Sequence, residues 1–266
     1  MFNVVGLITK PNDPTSEEVA SKLRKFLKGL GIKVVFYQQD IIDSAEMVIV
    51  LGGDGTFVGA ARNFVDAEIP LLGVNLGRLG FLTDINADKM FDTIENVLAG
   101  QYNTEERFML TCKTSDGEEH QALNDVVFHR STAPRMINAD VYINGKFVNN
   151  GSADGIIVNT PTGSTAYALS SGGPIINTGV DAISLVYISP HAMTYRPFIF
   201  NAGDEVRIRL KEPKHGASLI IDGQVSAPIH ADKDVFIKKH KKSLKLIHPQ
   251  DYDFFSILRS KLHWNK

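Results

Sequence analysis

The sequence predicts two domains of different class, an α/β domain at the N-terminus and an all-β domain after it. Three observations predict this. In the first hundred residues, buried-looking apolar runs alternate with stretches of helical spacing, the pattern of a parallel sheet covered by helices. After about residue 101, short alternating segments are separated by Gly, Asn and Asp turns, which is an all-β signature. The chain of 266 residues exceeds the usual single-domain size, and with no repeat or low-complexity linker the boundary is a change of pattern only.

Phe2 to Ile8 is an apolar run and reads as the first strand. Thr15-Ser16-Glu17-Glu18 follows as a capping box ahead of Val19, Leu23, Phe26, Leu27 and Leu30 at helical spacing, and Gly29 and Gly31 close that helix. Ile32 to Tyr37 reads as a second strand, and Met47 to Leu51 as a third that runs into a glycine turn. Thr56 to Phe64 is expected to be helical, and Ile69 to Val74 to be another buried strand. Asn86 is placed to cap a helix with Met90, Phe91, Ile94, Val97 and Leu98 on one face, ending at Gly100. Beyond it, Ala122 to His129, Ala139 to Ile143, Val206 to Leu210 and Leu219 to Ile221 read as short strands. One helix interrupts them, from about Thr162-Gly163-Ser164 to Ser171-Gly172-Gly173-Pro174, and Phe254, Phe255, Leu258 and Leu262 give the last segment an apolar helical face.

Composition narrows the classes of function. Hydrophobic residues make up 43% and charged residues 22%, so a packed core is affordable. Twenty-eight basic residues against 30 acidic ones leave a net charge of -2 and no global field for nucleic acid. The one dense basic run, Lys238 to Lys242, reads as a solvated hairpin tip between Val235 to Ile237 and Leu244 to Ile247, with a nucleic-acid patch as the alternative. A single cysteine, Cys112, allows no intrachain disulfide and gives no metal-ligand spacing. No signal-peptide pattern and no membrane-spanning apolar stretch is present, so a cytoplasmic protein without membrane or nucleic-acid partners is expected.

Three clusters carry chemistry. Val48 to Leu51 lead into Gly52-Gly53-Asp54-Gly55-Thr56, a strand end followed by a helix, where ligands of open α/β sheets bind. The glycines let backbone N-H groups approach a phosphate, and the helix start adds partial positive charge. The turn is neither a Walker A loop nor the dinucleotide fingerprint, because Val58 stands where a final glycine is required. A carboxylate in such a turn suits a kinase, in which Asp54 takes or orients the proton of an attacking hydroxyl while Mg²⁺ and backbone donors neutralise phosphate charge. An Asp-Gly turn that merely closes a strand is the competing explanation. The second cluster, Asn124-Asp125, interrupts an apolar run; it offers groups suited to an adenine edge or a ribose diol, or it marks a strand break or bulge. The third runs from Gly151-Ser152-Ala153-Asp154-Gly155 to Thr160-Pro161-Thr162-Gly163-Ser164-Thr165-Ala166-Tyr167-Ala168-Leu169-Ser170. It either presents short polar groups and the Tyr167 ring to a flat base or is an ordinary Ser/Thr-capped helix.

Together these clusters resemble the NAD kinase family, whose hallmarks are a GGDGT turn, an Asn-Glu pair and a TPTGSTAY segment followed by Gly-Gly. The likeness spans nearly the whole chain, including Asn75 to Phe81 and Ile221-Asp222-Gly223-Gln224. The resemblance implies a Rossmann-like α/β domain over residues 1–101 and a sandwich-like β domain over 102–247. A last segment, 248–266, would return to the first domain, with the active site between the domains. It implies transfer of the terminal phosphate of ATP to the 2′-hydroxyl of the adenosine ribose of NAD, a divalent cation such as Mg²⁺, and a homotetramer. Asp54 would be the proton acceptor and Gly55 would shape the phosphate turn. Asn124, Asp125, Asp154 and the run Thr165, Ala166, Tyr167, Ala168, Leu169 and Ser170 would line the NAD site, with Arg135, Ser152 and Gln224 as further contacts.

The family's Asn-Glu pair reads Asn124-Asp125, one methylene shorter. Ser152 stands where the family often carries a basic residue, which shifts charge compensation for the NAD phosphates to Arg135 or Arg78. The alternatives are a lipid or sphingoid kinase built on the same glycine turn, and a sensor that binds NAD(P) without turnover.

Overall fold

The computed structural model describes residues 2–77, 80–130, 136–211, 217–229 and 233–264. It divides into two compact units, one formed by Met1–Glu106 with Ser243–Lys266 and the other by Arg107–Lys242.

The first unit contains β1 (Val4–Thr9), α1 (Pro14–Gly29), β2 (Lys33–Val35), α2 (Gln38–Ser44), β3 (Met47–Gly52), α3 (Asp54–Phe64), β4 (Leu71–Asn75), β5 (Ile85–Asn86) and α4 (Met90–Leu98). Its sheet is parallel: β1 lies between β2 and β3, β3 pairs with β4, and β4 also pairs with β5. Every residue of β3 and β4 is buried, which is why both read as unbroken apolar runs. Phe57 and Phe64, seven residues apart on α3, are fully buried, each contributing about 1.5–3 kcal/mol and together fixing the helix against the sheet.

Several local details differ from the sequence reading. Pro14 at N1 sets the start of α1, so Thr15 to Glu18 form no capping box, and Ser16 Oγ donates to the carbonyls of Asp13 (2.9 Å) and Lys10 (3.2 Å). The strand expected to reach Tyr37 stops at Val35 and is followed by α2, in which Ile41 is the buried side chain. Asn86 ends β5 and the N-cap of α4 is Lys89. The helix after β3 begins at Asp54 rather than Thr56, with Gly53 as N-cap.

The second unit is built from β6 (Tyr102–Thr114), β7 (Glu119–Ala122), β8 (Asp125–Arg130), β9 (Ile137–Ile143), β10 (Lys146–Ala153), β11 (Gly155–Asn159), a 3₁₀ turn (Thr162–Thr165), α5 (Tyr167–Ser170), β12 (Ala182–Ile188), β13 (Phe198–Asn201), β14 (Val206–Lys211), β15 (Ala217–Ile221), β16 (Val225–Ile229) and the first part of β17 (Asp234–Pro249). One sheet has the order β13-β12-β11-β8-β15-β16, all antiparallel. The other places β9 between β10 and β14, with β14 against the start of β17. Val126, Phe128, Ile156, Val158 and Leu219 of the first sheet share a core with Val141, Ile208, Val235 and Ile237 of the second, a sandwich. The opposite face of β8 and β11 is also covered, since Val127 and Ile157 pack with Ala168 of α5 and Val186.

The basic run Lys238 to Lys242 lies inside β17, not at a hairpin tip: the two apolar stretches beside it are one 16-residue strand. That strand and β6 run through the unit boundaries at 106/107 and 242/243, so the chain crosses each boundary inside a strand and no linker marks it. The end of β17 pairs in parallel with β4 at Leu246 and Ile247, and α6 (Phe254–Leu262), capped by the Asp253 side chain, completes the first unit.

Candidate active site

Asp54 sits in the first turn of α3, just beyond the carboxyl end of β3, where its charge suits the helix dipole. Its carboxylate is anchored, not free. Oδ1 accepts from Leu82 N (3.0 Å), Thr83 N (3.2 Å) and Thr83 Oγ1 (3.1 Å), and Oδ2 accepts from Phe81 N (2.8 Å). Thr83 Oγ1 in turn accepts from Asn75 Nδ2 at 2.9 Å, and both side chains are buried. The approach is close enough to demand glycine. A Cβ at Gly80 would lie 1.9 Å from Asp54 Oδ1, and one at Gly73 would lie 2.3 Å from the Leu82 carbonyl.

In the second unit, Asn124, Asp125, Val127, Ala166, Tyr167, Ile220, Asp222 and Gly223 line a cavity of about 370 Å³. Leu123 and Asn124 fall between β7 and β8, so the apolar run is broken as well as lined with polar groups. Asp222, at φ 50°, holds the break: its carboxylate accepts from the backbone N-H of Leu123 (3.1 Å), Asn124 (2.8 Å) and Asp125 (3.1 Å). Burial, reinforced by the nearby Asp222 charge, pushes the Asp125 carboxyl up to about 7. The cavity thus joins an apolar floor, a carboxyl that changes charge near neutrality, an amide and a half-exposed phenol ring, the mix expected of a nucleoside pocket.

Residues 36–102 match the ATP-NAD kinase N-terminal domain and residues 123–249 the ATP-NAD kinase C-terminal domain. The chain is 40% identical to the NAD kinase of Magnetococcus marinus, over 99% of this chain and 94% of that one. It is 38% identical to the NAD kinase of Hydrogenovibrio crunogenus, over 100% and 99% respectively. The chain belongs to the NAD kinase family. Solved structures share the fold: yeast NADH kinase complexed with NADH at a TM-score of 0.92 and 24% identity, over 99% of this chain and 88% of that one. An NAD kinase from Archaeoglobus fulgidus in complex with ATP follows at 0.82 and 22%, over 98% of each. Membership in the NAD kinase family sets aside both the lipid-kinase reading of the glycine turn and the reading as a sensor without turnover.

Within this NAD kinase family member, the hydroxyls of the third cluster are engaged with the protein itself. Thr160 Oγ1 donates to the Leu123 carbonyl at 2.6 Å and accepts from Gly163 N at 3.1 Å. Ser164 Oγ donates to the Pro161 carbonyl at 2.6 Å and accepts from Ile176 N at 3.0 Å. Thr162 Oγ1 accepts from the buried Arg107 at 3.2 Å. A Cβ at Gly163 would stand 2.1 Å from the Asn124 carbonyl, so the segment is built to lie flat against the β7–β8 break. The expected single helix is accordingly two short pieces, a 3₁₀ turn and α5, parted at Ala166.

Of the residues marked in the sequence, Asn124, Asp125, Ala166 and Tyr167 converge on the cavity. Ala168 is buried beneath α5, Thr165 and Leu169 are half-buried beside it, and Ser170 is exposed. Ser152 lies on β10, Gln224 is in the exposed β15–β16 turn, and Asp154 pairs with Arg130 Nε at 3.2 Å. Gly55 follows Asp54 in α3, while Arg78 and Arg135 lie outside the described residues. No pattern in the sequence singles out Asp222 as a site residue, nor the three donors at 81–83, which act through backbone N-H groups.

Proposed function

We propose that this chain transfers the terminal phosphoryl group of ATP to the 2′-hydroxyl of the adenosine ribose of NAD, giving NADP and ADP, with Asp54 as proton acceptor. The observation that carries this reading is the anchored carboxylate beyond β3. Oδ1 receives three donors and Oδ2 one, which leaves Oδ2 a lone-pair direction for the ribose hydroxyl. The O2′–H bond breaks toward Oδ2 as O2′ bonds the terminal phosphorus, and the bond from that phosphorus to the bridging oxygen of ADP breaks. The start of α3 adds partial positive charge for the phosphates.

Asn124, Asp125, Ala166 and Tyr167 are assigned to NAD recognition, supported by the cavity they line. Asp154, Ser152, Gln224 and the rest of 165–170 are proposed contacts on family grounds. Among the described residues no three His, Cys, Asp or Glu side chains converge as metal ligands, and Asp54 is engaged by protein donors. The described residues thus group no such ligand set, and a divalent ion that takes part would be held by the phosphate oxygens of ATP. A homotetramer is supported by exposed apolar side chains such as Phe147 on β10 and Phe198 and Ile199 on β13. A cytoplasmic location is supported by Cys112, a buried thiol pushed up to about 12 by desolvation and unsuited to disulfide chemistry. No described helix is long and apolar enough to cross a membrane.

The decisive experiment is Asp54→Asn. Either orientation of the new amide sets an NH₂ group against a backbone N-H, so rates are compared at equal folded fraction. Turnover of NAD to NADP falls by about a hundredfold to ten-thousandfold while calorimetric NAD affinity changes little. Unchanged turnover, or a loss wholly explained by unfolding, makes the aspartate a turn former only.

A further inference from the structure

The donors that hold Asp54 come from Phe81, Leu82 and Thr83, an irregular segment between β4 and β5. The next residue is Asp84, whose side chain is 5% exposed and whose Oδ2 lies 2.8 Å from His248 Nδ1. His248 is itself buried near the end of β17, immediately after the two residues that pair with β4. Its Nε2 faces Glu105 Oε2 at 3.4 Å, and its ring stacks on Tyr252 with centroids 3.8 Å apart and planes 13° from parallel. Among the described residues, Asp84, Glu105 and Tyr252 are thus the titratable groups that face the imidazole, all within the first unit. A ring between two carboxylates fits its doubly protonated form, because the neutral ring turns one bare nitrogen toward a carboxylate oxygen.

We infer that His248 is a positioning residue for phosphoryl transfer: by holding Asp84 it fixes the 81–83 segment, and through that segment's N-H groups it sets the orientation of the Asp54 carboxylate. The inference rests on the reading of Asp54 as proton acceptor. Burial alone lowers the tendency of His248 to hold its proton, and the hydrogen bond to Asp84 with the charges of Asp84 and Glu105 outweighs it, so its pKa stands above the ordinary imidazole value. The charged clamp is fully present below the ordinary value of about 6.5 and is lost as pH rises through the raised folded-state value, so kcat declines on the alkaline side.

The test is kcat and KM against pH for the full chain carrying His248→Asn, His248→Ala, Glu105→Gln or Asp54→Asn. His248→Asn puts a neutral donor near the Nδ1 position; near neutral pH its kcat stays within about threefold of wild type, and the alkaline decline assigned to His248 is gone. His248→Ala lowers kcat roughly tenfold to a hundredfold with KM for NAD within about twofold, as expected for a base displaced by a fraction of an ångström to an ångström. Glu105→Gln removes one stabilising charge, and the decline moves to lower pH. An alkaline decline that persists unchanged in both His248→Asn and Glu105→Gln overturns the inference, as does wild-type kcat per folded molecule in His248→Ala. If His248→Ala does not fold, the pH profiles of the other two decide. Full turnover in Asp54→Asn overturns the proton-acceptor reading itself, whereas loss of turnover there beside wild-type kcat and pH profiles in the His248 and Glu105 variants overturns the positioning role alone.

Discussion

Replacing Gly80 by alanine tests whether the exact orientation of Asp54 matters to turnover. The added methyl would sit 1.9 Å from Asp54 Oδ1, 2.6 Å from its Cγ and 2.5 Å from Thr83 Oγ1. An unstrained contact begins near 3.4 Å, so Oδ1 must retreat by about 1.5 Å or the 80–83 segment must move by a similar amount. Either movement breaks bonds at the oxygen that receives three of the four donors. Hydrogen bonds to a charged group are worth about 1.5–3 kcal/mol each, so losing one or two costs about 1.5–6 kcal/mol and lowers Tm by roughly 3–24 °C. Turnover suffers more, because a base displaced by about 1 Å loses on the order of a hundredfold in rate. The measurements are a thermal melt, kcat and KM for NADP formation, and calorimetric affinity for NAD, which is expected to hold. A Gly80→Ala enzyme that is folded and turns over within about threefold of wild type refutes the claim that this carboxylate must be held where it is.

Tyr167→Ala removes a ring that is 42% exposed at the cavity mouth, so NAD affinity weakens about tenfold or more while Tm moves by at most a few degrees; a protein that unfolds instead assigns the ring to packing. Asp125 has a folded-state value near 7 against an ordinary 3.8, so the folded state holds its proton more tightly and loses stability as pH rises through that interval. Asp125→Asn is therefore expected to raise Tm relative to wild type by a few degrees at pH 8 and by less at pH 5, and equal differences at the two pH values count against it. Thr160→Val leaves the Leu123 carbonyl and the Gly163 N-H without that hydroxyl and destabilises the second unit by about 1–3 kcal/mol in denaturant melts; no loss shows that the hydroxyl does not hold the segment in place.

The legible parts of the fold were those in which side-chain pattern and burial coincide. Val48 to Leu51 are buried on both faces of a parallel sheet and can only read as a strand, and Ile94, Val97 and Leu98 bury one face of α4. α2 was not legible because Ile41 is its buried residue among mostly polar neighbours. The basic run in β17 misled because charged side chains in the middle of a long strand break its apolar pattern without breaking its backbone. Among the proposed functional residues, Asp54, Asn124, Asp125 and Tyr167 are legible as polar or aromatic groups in apolar or glycine-rich settings. The donors to Asp54 were not, since a backbone N-H is offered by any residue other than proline and Phe81 and Leu82 carry no sign of it. Asp222 went unmarked because its work is to gather three amides across a strand break that lies far from it in sequence.

The single strand β17 ties the order of synthesis to the order of folding. Arg107–Lys242 is one uninterrupted length of chain and can complete its sandwich as soon as β17 begins to emerge from the ribosome. The unit that starts first must finish second. Its core includes Ile247, and the edge of β4 at Leu71 and Leu72 stays unpaired until Leu246 and Ile247 arrive. At roughly 5–20 residues per second, the nascent N-terminal sheet therefore waits roughly 7–28 seconds with an unpaired edge exposed to chaperones and to other chains. A stop codon placed before residue 243 would leave the sandwich intact and the older half of the molecule permanently open.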